Sequence, residues 1–181
     1  LLGQSAAKAA SLAIDGNVMV QEIDAKEIQR LFLEDPLMDG STPDVLVDDP
    51  QIELGEKSKW ERVKSNSGFG PSYIKLDQTK GKQSLKFPVN VQKDGKYDLY
   101  TYFIRNREST ERAEILIRNG KDVSTFVLEQ KEIVVRGQTS GEWVSIGEYD
   151  LKADTPAYVE FTNNGNVNGI VIADAVLAVA K

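Results

Sequence analysis

The run Lys96-Tyr97-Asp98-Leu99-Tyr100-Thr101-Tyr102-Phe103-Ile104 decides the fold class. It is aromatic and aliphatic at period two, with Tyr97, Leu99, Thr101 and Phe103 in one phase and Asp98, Tyr100 and Tyr102 in the other. Successive side chains of a strand point to opposite faces, so this pattern is that of a sheet strand. Aromatics in both phases place one row in the core and leave the other partly exposed or covered by a loop. Similar material recurs on either side, at 84–91, 113–119, 124–129, 142–149, 157–163 and 169–180, with a short run at Val45-Leu46-Val47. Gly, Asn, Asp and Pro bound these runs, and their regular spacing predicts a mainly β chain built as an antiparallel β-sandwich. Asp94-Gly95 and Asn119-Gly120 carry the signals of tight hairpins.

The first 44 residues read differently. Ala6, Ala7, Ala9, Ala10 and Ala13, with Leu12 and Ile14, predict a helix that stops at Gly16, and Ala6, Ala9, Ala10 and Ala13 share one small-residue face. A second helix is expected after Asp24 as N-cap, with Glu27 completing a capping box and Ile28, Leu31 and Phe32 forming an apolar stripe that ends at Glu34-Asp35-Pro36. Neither short helix makes a core alone, so each needs the body of the chain or an upstream portion as partner. Left uncovered, Ile28, Leu31 and Phe32 would favour an oligomer. From Pro36 to Pro50 the chain is acidic and turn-rich, a linker running into the first strand.

Composition removes several kinds of chemistry. With no cysteine and no histidine in 181 residues, the chain has no Ser-His-Asp or Cys-His nucleophile, no disulfide and no Cys/His metal site of its own. The net charge of −6 is concentrated at the start: residues 1–50 hold ten Asp/Glu against three Lys/Arg, and the rest is nearly balanced. Such a chain is a poor partner for a phosphate backbone, so nucleic acid is set aside. No stretch approaches the ~20 apolar residues of a membrane span, and Lys8 interrupts the opening apolar run, unlike a signal peptide.

The segments VLVDD (45–49), Trp60, GPSY (70–73), GKYDLYTYF (95–103), GEWVSIGEY (141–149) and GIVIADAVL (169–177) resemble, in that order, the golvesin C-terminal-like, or xanthan-lyase-associated, domain. The resemblance covers residues 45–181. It implies a jelly-roll sandwich of the galactose-binding and carbohydrate-binding-module kind. It also implies a non-catalytic accessory role on secreted or periplasmic bacterial proteins that act on polysaccharide or peptidoglycan. Residues 1–36 resemble the final segment of an FAD-dependent oxidoreductase domain. In that family a helix start such as Gly3-Gln4-Ser5 closes the flavin site, its N–H groups and dipole suited to an anionic or electron-rich group. No Gly-x-Gly-x-x-Gly unit is present, so FAD is expected in a parent protein and not on this chain alone. The expectation is therefore a helical tail and acidic linker (1–44) of an upstream oxidoreductase, followed by an accessory sandwich (45–181) that binds carbohydrate or a cell surface. A spacer or docking domain without its own ligand, or part of a xanthan-lyase-like enzyme, are the alternatives.

Within that frame the candidate ligand residues are Phe69 and Tyr73, projected from the Gly/Pro-rich loop at 68–72, with Arg105 or Arg107 from the next hairpin. Trp60 and Trp143 each read as core, with stacking on a sugar as the alternative. Asp174 interrupts an apolar strand. An isolated buried carboxylate is costly, so it is expected to accept from N–H groups of a neighbouring loop or to pair with an arginine rather than to catalyse. No spacing selects a pair of catalytic carboxylates. Sandwich modules of this kind often hold a structural calcium ion, and Asp48, Asp49 and a loop carbonyl offer oxygen ligands for one. The simpler reading of Asp48 and Asp49 is a solvated acidic linker.

Overall fold

Period-two patterning becomes eleven strands in the computed structural model, which describes residues 2–77, 81–135, 141–164 and 168–181, and the side chains from residue 6 onward. The chain divides into two units, Leu1–Pro43 and Asp44–Lys181.

The first unit holds α1 (Leu2–Gly16) and α2 (Ala25–Glu34). In α1, Ala9 and Ala13 of the small-residue face are buried, while Ile14 is exposed. The backbone of Gly3, Gln4 and Ser5 lies in the first turn of α1, and their side chains lie outside the described residues. Asp24 caps α2 as expected, but it accepts from the Lys26 N–H at 2.9 Å, and Glu27 turns to Arg30 instead of closing a box. Ile28, Leu31 and Phe32 are half-buried. No helix among the described residues is long and apolar enough to cross a membrane.

Among the described residues, the named strands of the second unit all pair antiparallel and form three sheets, with one isolated parallel bridge between Ser109 and Ile170. Its strands are β1 (Val45–Val47), β2 (Trp60–Lys64), β3 (Ser72–Leu76), β4 (Ser84–Pro88), β5 (Gly95–Ile104), β6 (Arg112–Asn119), β7 (Asp122–Glu129), β8 (Gly141–Leu151), β9 (Ala157–Thr162), β10 (Val171–Ala173) and β11 (Val176–Ala180). The sheet orders are β1-β11-β5-β8, β10-β3-β2 and β4-β9-β6-β7. Their inner faces share one core that includes Trp60, Ile74, Phe87, Leu99, Ile115 and Phe161. The inward row of β5 is Tyr97, Leu99, Thr101 and Phe103, as the alternation predicts, and Tyr100 and Tyr102 are half-buried on the outer face.

One hairpin expectation holds and two expectations are corrected. Asn119-Gly120 does turn the β6–β7 hairpin, with Gly120 at φ +60° as the first position of a two-residue loop requires. Asp94-Gly95, by contrast, makes no hairpin: β4 pairs with β9 and β5 pairs with β11 and β8, so this turn carries the chain from one sheet to another. The apolar run 169–180 is two strands, β10 and β11, in different sheets, parted at Asp174-Ala175. Its hydrophobicity on either side of Asp174 reflects burial on both sides of the crossing, since residues 173–178 are all buried.

Candidate functional site

β1 ends at Val47, and the next residues fold into a single 3₁₀ turn, Asp49–Gln51, on which two side chains close reciprocally. Asp48 accepts from the Asp49 N–H at 2.9 Å, and the Asp48 N–H donates to Gln51 Oε1 at 2.7 Å. This turn directs Asp49 inward, where it is 0% exposed. The solvated-linker reading of Asp48 and Asp49 is therefore corrected: Asp49 is buried and Asp48 half-buried. Desolvation of Asp49 is offset by the neighbouring sheet. Arg62 of β2 donates from Nε to Asp49 Oδ2 at 2.8 Å, and from Nη2 to the carbonyls of Asp49 and Ile52 at 2.6 Å each. Ser72 of β3 donates its hydroxyl to the same carboxylate at 3.0 Å.

Asp174, at the crossing between β10 and β11, is equally buried but less well served. Its Oδ2 accepts the Phe69 N–H at 2.7 Å, the loop N–H that its place in an apolar strand led one to expect. Its Oδ1 is buried with no hydrogen-bond partner. One oxygen each from Asp48, Asp49 and Asp174 lie within 4.8 Å of one another. Burial pushes Asp174 up to about 8; the Phe69 N–H opposes this, and the charges of Asp48 and Asp49 add to it. Burial also lifts Asp48 to about 6, against the bond from the Asp49 N–H and the charge of Arg62 and with the charge of Asp49. One guanidinium facing three carboxylates leaves the corner with an excess of negative charge, which protons or a cation must balance.

Phe69 joins this corner to a second feature. Its backbone holds Asp174, while its ring lies 5.1 Å from Trp143 and 5.8 Å from Tyr102, centroid to centroid. Tyr102 of β5 and Trp143 of β8 are cross-strand partners, with rings 5.3 Å apart at 76°. All three rings are half-buried. Burial raises the Tyr102 hydroxyl to about 12, with Asp174 and Glu142 adding to the effect, so it stays a neutral donor. β8 opens at Gly141, where a Cβ would run into the Tyr102 ring.

Of the residues singled out from sequence, Phe69 lies in this cluster. Tyr73 is on β3 and not in a loop, in the phase opposite to the buried Ser72, Ile74 and Leu76. Arg105, at the end of β5, is exposed and donates to the Ile133 carbonyl at 3.1 Å, and Arg107 is exposed beyond it. The two tryptophans separate: Trp60 is core at 5% exposure, whereas Trp143 is half-buried on an outer face beside Phe69. Sequence reasoning passed over Arg62 and Tyr102. Arg62 lies two residues from Trp60 in the same strand phase, and a cation in a core-facing phase implies a buried acid as partner.

Comparison with known proteins places the fold. No curated protein matches the chain. Among solved structures, a Paenibacillus xanthan lyase is 22% identical with a TM-score of 0.61, over 76% of this chain and 13% of the lyase. A family 35 carbohydrate binding module from Clostridium thermocellum is 20% identical with a TM-score of 0.54, over 75% of this chain and 98% of the module. A Podospora anserina GH26-CBM35 β-(1,4)-mannanase is 18% identical with a TM-score of 0.51, over 76% of this chain and 28% of the enzyme. At these identities the likeness is one of fold, and it establishes the carbohydrate-binding-module-like jelly roll expected above. The model of the Golvesin C-terminal domain matches residues 45–179, more than half of the sequence, and the chain therefore belongs to the Golvesin C-terminal domain family.

Proposed function

We propose that residues 45–181 are a non-catalytic accessory domain that binds carbohydrate, using the ring cluster of Phe69, Tyr102 and Trp143 as its contact surface. The observation that carries this reading is the gathering of three half-buried aromatic rings on an outer face, fed by a loop and two paired strands of one sheet. Aromatic rings present large apolar area at small entropic cost and stack on the C–H faces of sugars. The exposed guanidinium groups of Arg105 and Arg107 supply hydrogen-bond donors to hydroxyl or carboxylate groups of a glycan, and Tyr73 lies on β3, the strand that follows the Phe69 loop. The fold shared with a carbohydrate binding module supports the reading as analogy.

The test uses the whole chain on a polysaccharide panel that includes xanthan and β-1,4-mannan. Phe69→Ala and Trp143→Ala should each weaken binding at least tenfold without loss of fold, and Arg105→Ala, Arg107→Ala and Tyr73→Ala by smaller factors. A panel without any bound glycan would overturn the reading in favour of a spacer or docking domain.

For residues 1–44 the reading is a helical tail and linker of an FAD-dependent oxidoreductase in a longer secreted or periplasmic parent, with Gly3, Gln4 and Ser5 at its flavin side. What supports it is the resemblance of residues 1–36. The coding sequence upstream of Leu1 tests it directly: without a Gly-x-Gly-x-x-Gly unit there, the flavin reading fails.

A further inference from the structure

An edge strand presents a row of unpaired backbone N–H and C=O groups, and sandwiches usually guard such rows against pairing with another chain. Most edges here are guarded. β1 and β10 are only three residues long, β2 carries Glu61, Arg62 and Lys64, and β4 carries Lys86 and ends in Pro88. β8 shifts register against β5 at Leu99/Tyr100 and carries Glu142, Glu148 and Asp150. β7 has none of these devices. It is the last strand of its sheet, eight residues long, and between Asp122 and Glu129 it reads Val-Ser-Thr-Phe-Val-Leu, without charge, proline or glycine. Val123 is 49% and Val127 39% exposed, with Thr125 exposed between them. Two bonds beyond the strand ends show which way its backbone points. The Gln130 N–H donates to the Glu111 carbonyl at 3.0 Å, and the Gly120 N–H donates to the Pro156 carbonyl, on the β9 side of β6, at 3.1 Å. Bonds alternate along an antiparallel ladder, so the even-numbered residues of β7 bond β6, while Val123, Thr125 and Val127 turn their N–H and C=O groups outward.

We propose that β7 pairs with β7 of a second copy of this chain, antiparallel about Thr125, so that the β4-β9-β6-β7 sheets of two copies become one. The sequence of the strand is complementary to itself in that register and in no neighbouring one. The outward groups meet only if odd-numbered residues face odd-numbered ones. With Thr125 opposite its own copy, Val123 lies opposite Val127 and Lys121 opposite Glu129, twice over by the two-fold symmetry. A slide of two residues in one direction sets Val123 against Glu129, and in the other sets Lys121 against Val127, so either slide gives up the ion pairs. Glu129 is also met by Arg112 and Lys131 of its own chain, and Asp122 of the copy, next to Lys121, balances that added positive charge. The pairing does not depend on glycan binding. If the rings of Phe69, Tyr102 and Trp143 do hold sugar, two clusters per assembly would grip a repeating polysaccharide at two points, a consequence that rests on the glycan reading.

Sedimentation velocity of the full chain over about 1–500 μM should show a monomer passing to a dimer as concentration rises. Val127→Lys and Lys121→Glu should each raise the dissociation constant about tenfold or more, because each sets a misplaced charge at both ends of the pairing. The register has its own test, since the chain holds no cysteine. Thr125→Cys should form a disulfide between copies under air oxidation, as facing residues of a bonded pair lie about 5.5 Å apart at Cα. Val123→Cys, placed opposite Val127, should not. Should a variant fail to fold, hydrogen exchange in the unmodified chain decides: the amides of Val123, Thr125 and Val127 should slow as concentration rises, and unchanged exchange overturns the pairing. A monomer at every concentration would leave the edge to a strand of another protein and overturns it. Dimers that persist in Val127→Lys would place the contact elsewhere, on the helices of the first unit for instance, and overturn it too, as does crosslinking at Val123 equal to that at Thr125.

Discussion

The corner around Asp174 and the Glu160–Arg118 pair on the outer face of the third sheet both bury carboxylates beside an arginine, yet they behave in opposite ways. Glu160 of β9 faces Arg118 of β6 one to one. Burial works against its charge, but the bonds from Arg118 and Ser84 and the charges of Arg118 and Lys86 outweigh it, so its carboxyl is held below the usual range. Around Asp174 the same burial meets three acids and one guanidinium, and the balance reverses. Burial alone therefore does not decide the state of a carboxylate; the ratio of donors to acids around it does.

Removing the acid that Arg62 serves tests the comparison most severely. Asp49→Ala removes the carboxylate that Arg62 Nε and the Ser72 hydroxyl bond, and urea unfolding should show a loss of about 3–5 kcal/mol. A loss under 1 kcal/mol would mean that Arg62 finds another partner and that the corner is not built around Asp49. Next in size, Gly70→Ala should cost about 1–3 kcal/mol, because the loop must move off Asp48.

The sign of the pH dependence then separates the two regions. Folded Asp174 keeps its proton up to about 8, while the unfolded residue releases it near 3.8, so the native state holds the extra proton across that window. Stability from this group must fall as pH rises through it. In chelating buffer, Asp174→Asn should flatten that fall and stay within about 1 kcal/mol of the parent at neutral pH. Glu160 has the opposite sign. Its contribution is complete above the ordinary glutamate range and is lost as pH falls through its lowered value. Glu160→Gln should cost about 1 kcal/mol at neutral pH, since Arg118 is partly exposed, and the difference from the parent should shrink in acid. Equal pH profiles for the two variants would break the comparison.

Much of the sandwich could be read from alternation, because β5, β6, β8 and β9 are long enough to show period two. β2 and β3 escaped notice for physical reasons. Each has five residues, β2 carries Glu61, Arg62 and Lys64 among only two hydrophobic residues, and β3 follows a Gly/Pro loop that reads as irregular chain. Apart from Asp174, the crossing at Asp174-Ala175 left no composition signal, because both strands it joins are buried. Asp174 itself was legible, since a carboxylate in an apolar run must find a donor. Asp48 and Asp49 were not, because they follow an acidic stretch and their burial depends on Arg62 and Ser72, 13 and 23 residues beyond Asp49. Phe69 was legible as a loop aromatic, but its meeting with Trp143 depends on β5 and β8 lying side by side, a long-range fact that no local pattern states.

The separation of the two tryptophans gives the protein a pair of built-in optical reporters. Trp60, enclosed by the core and with its indole N–H unpartnered, should emit at short wavelength and resist acrylamide quenching until the sandwich unfolds. Trp143, half-buried beside Phe69 and Tyr102, should emit further to the red and respond to events at the surface while the core stays closed. Single-tryptophan variants of the same chain would thus show, in one cuvette, whether a bound ion or sugar changes the rim of the domain or the stability of its interior.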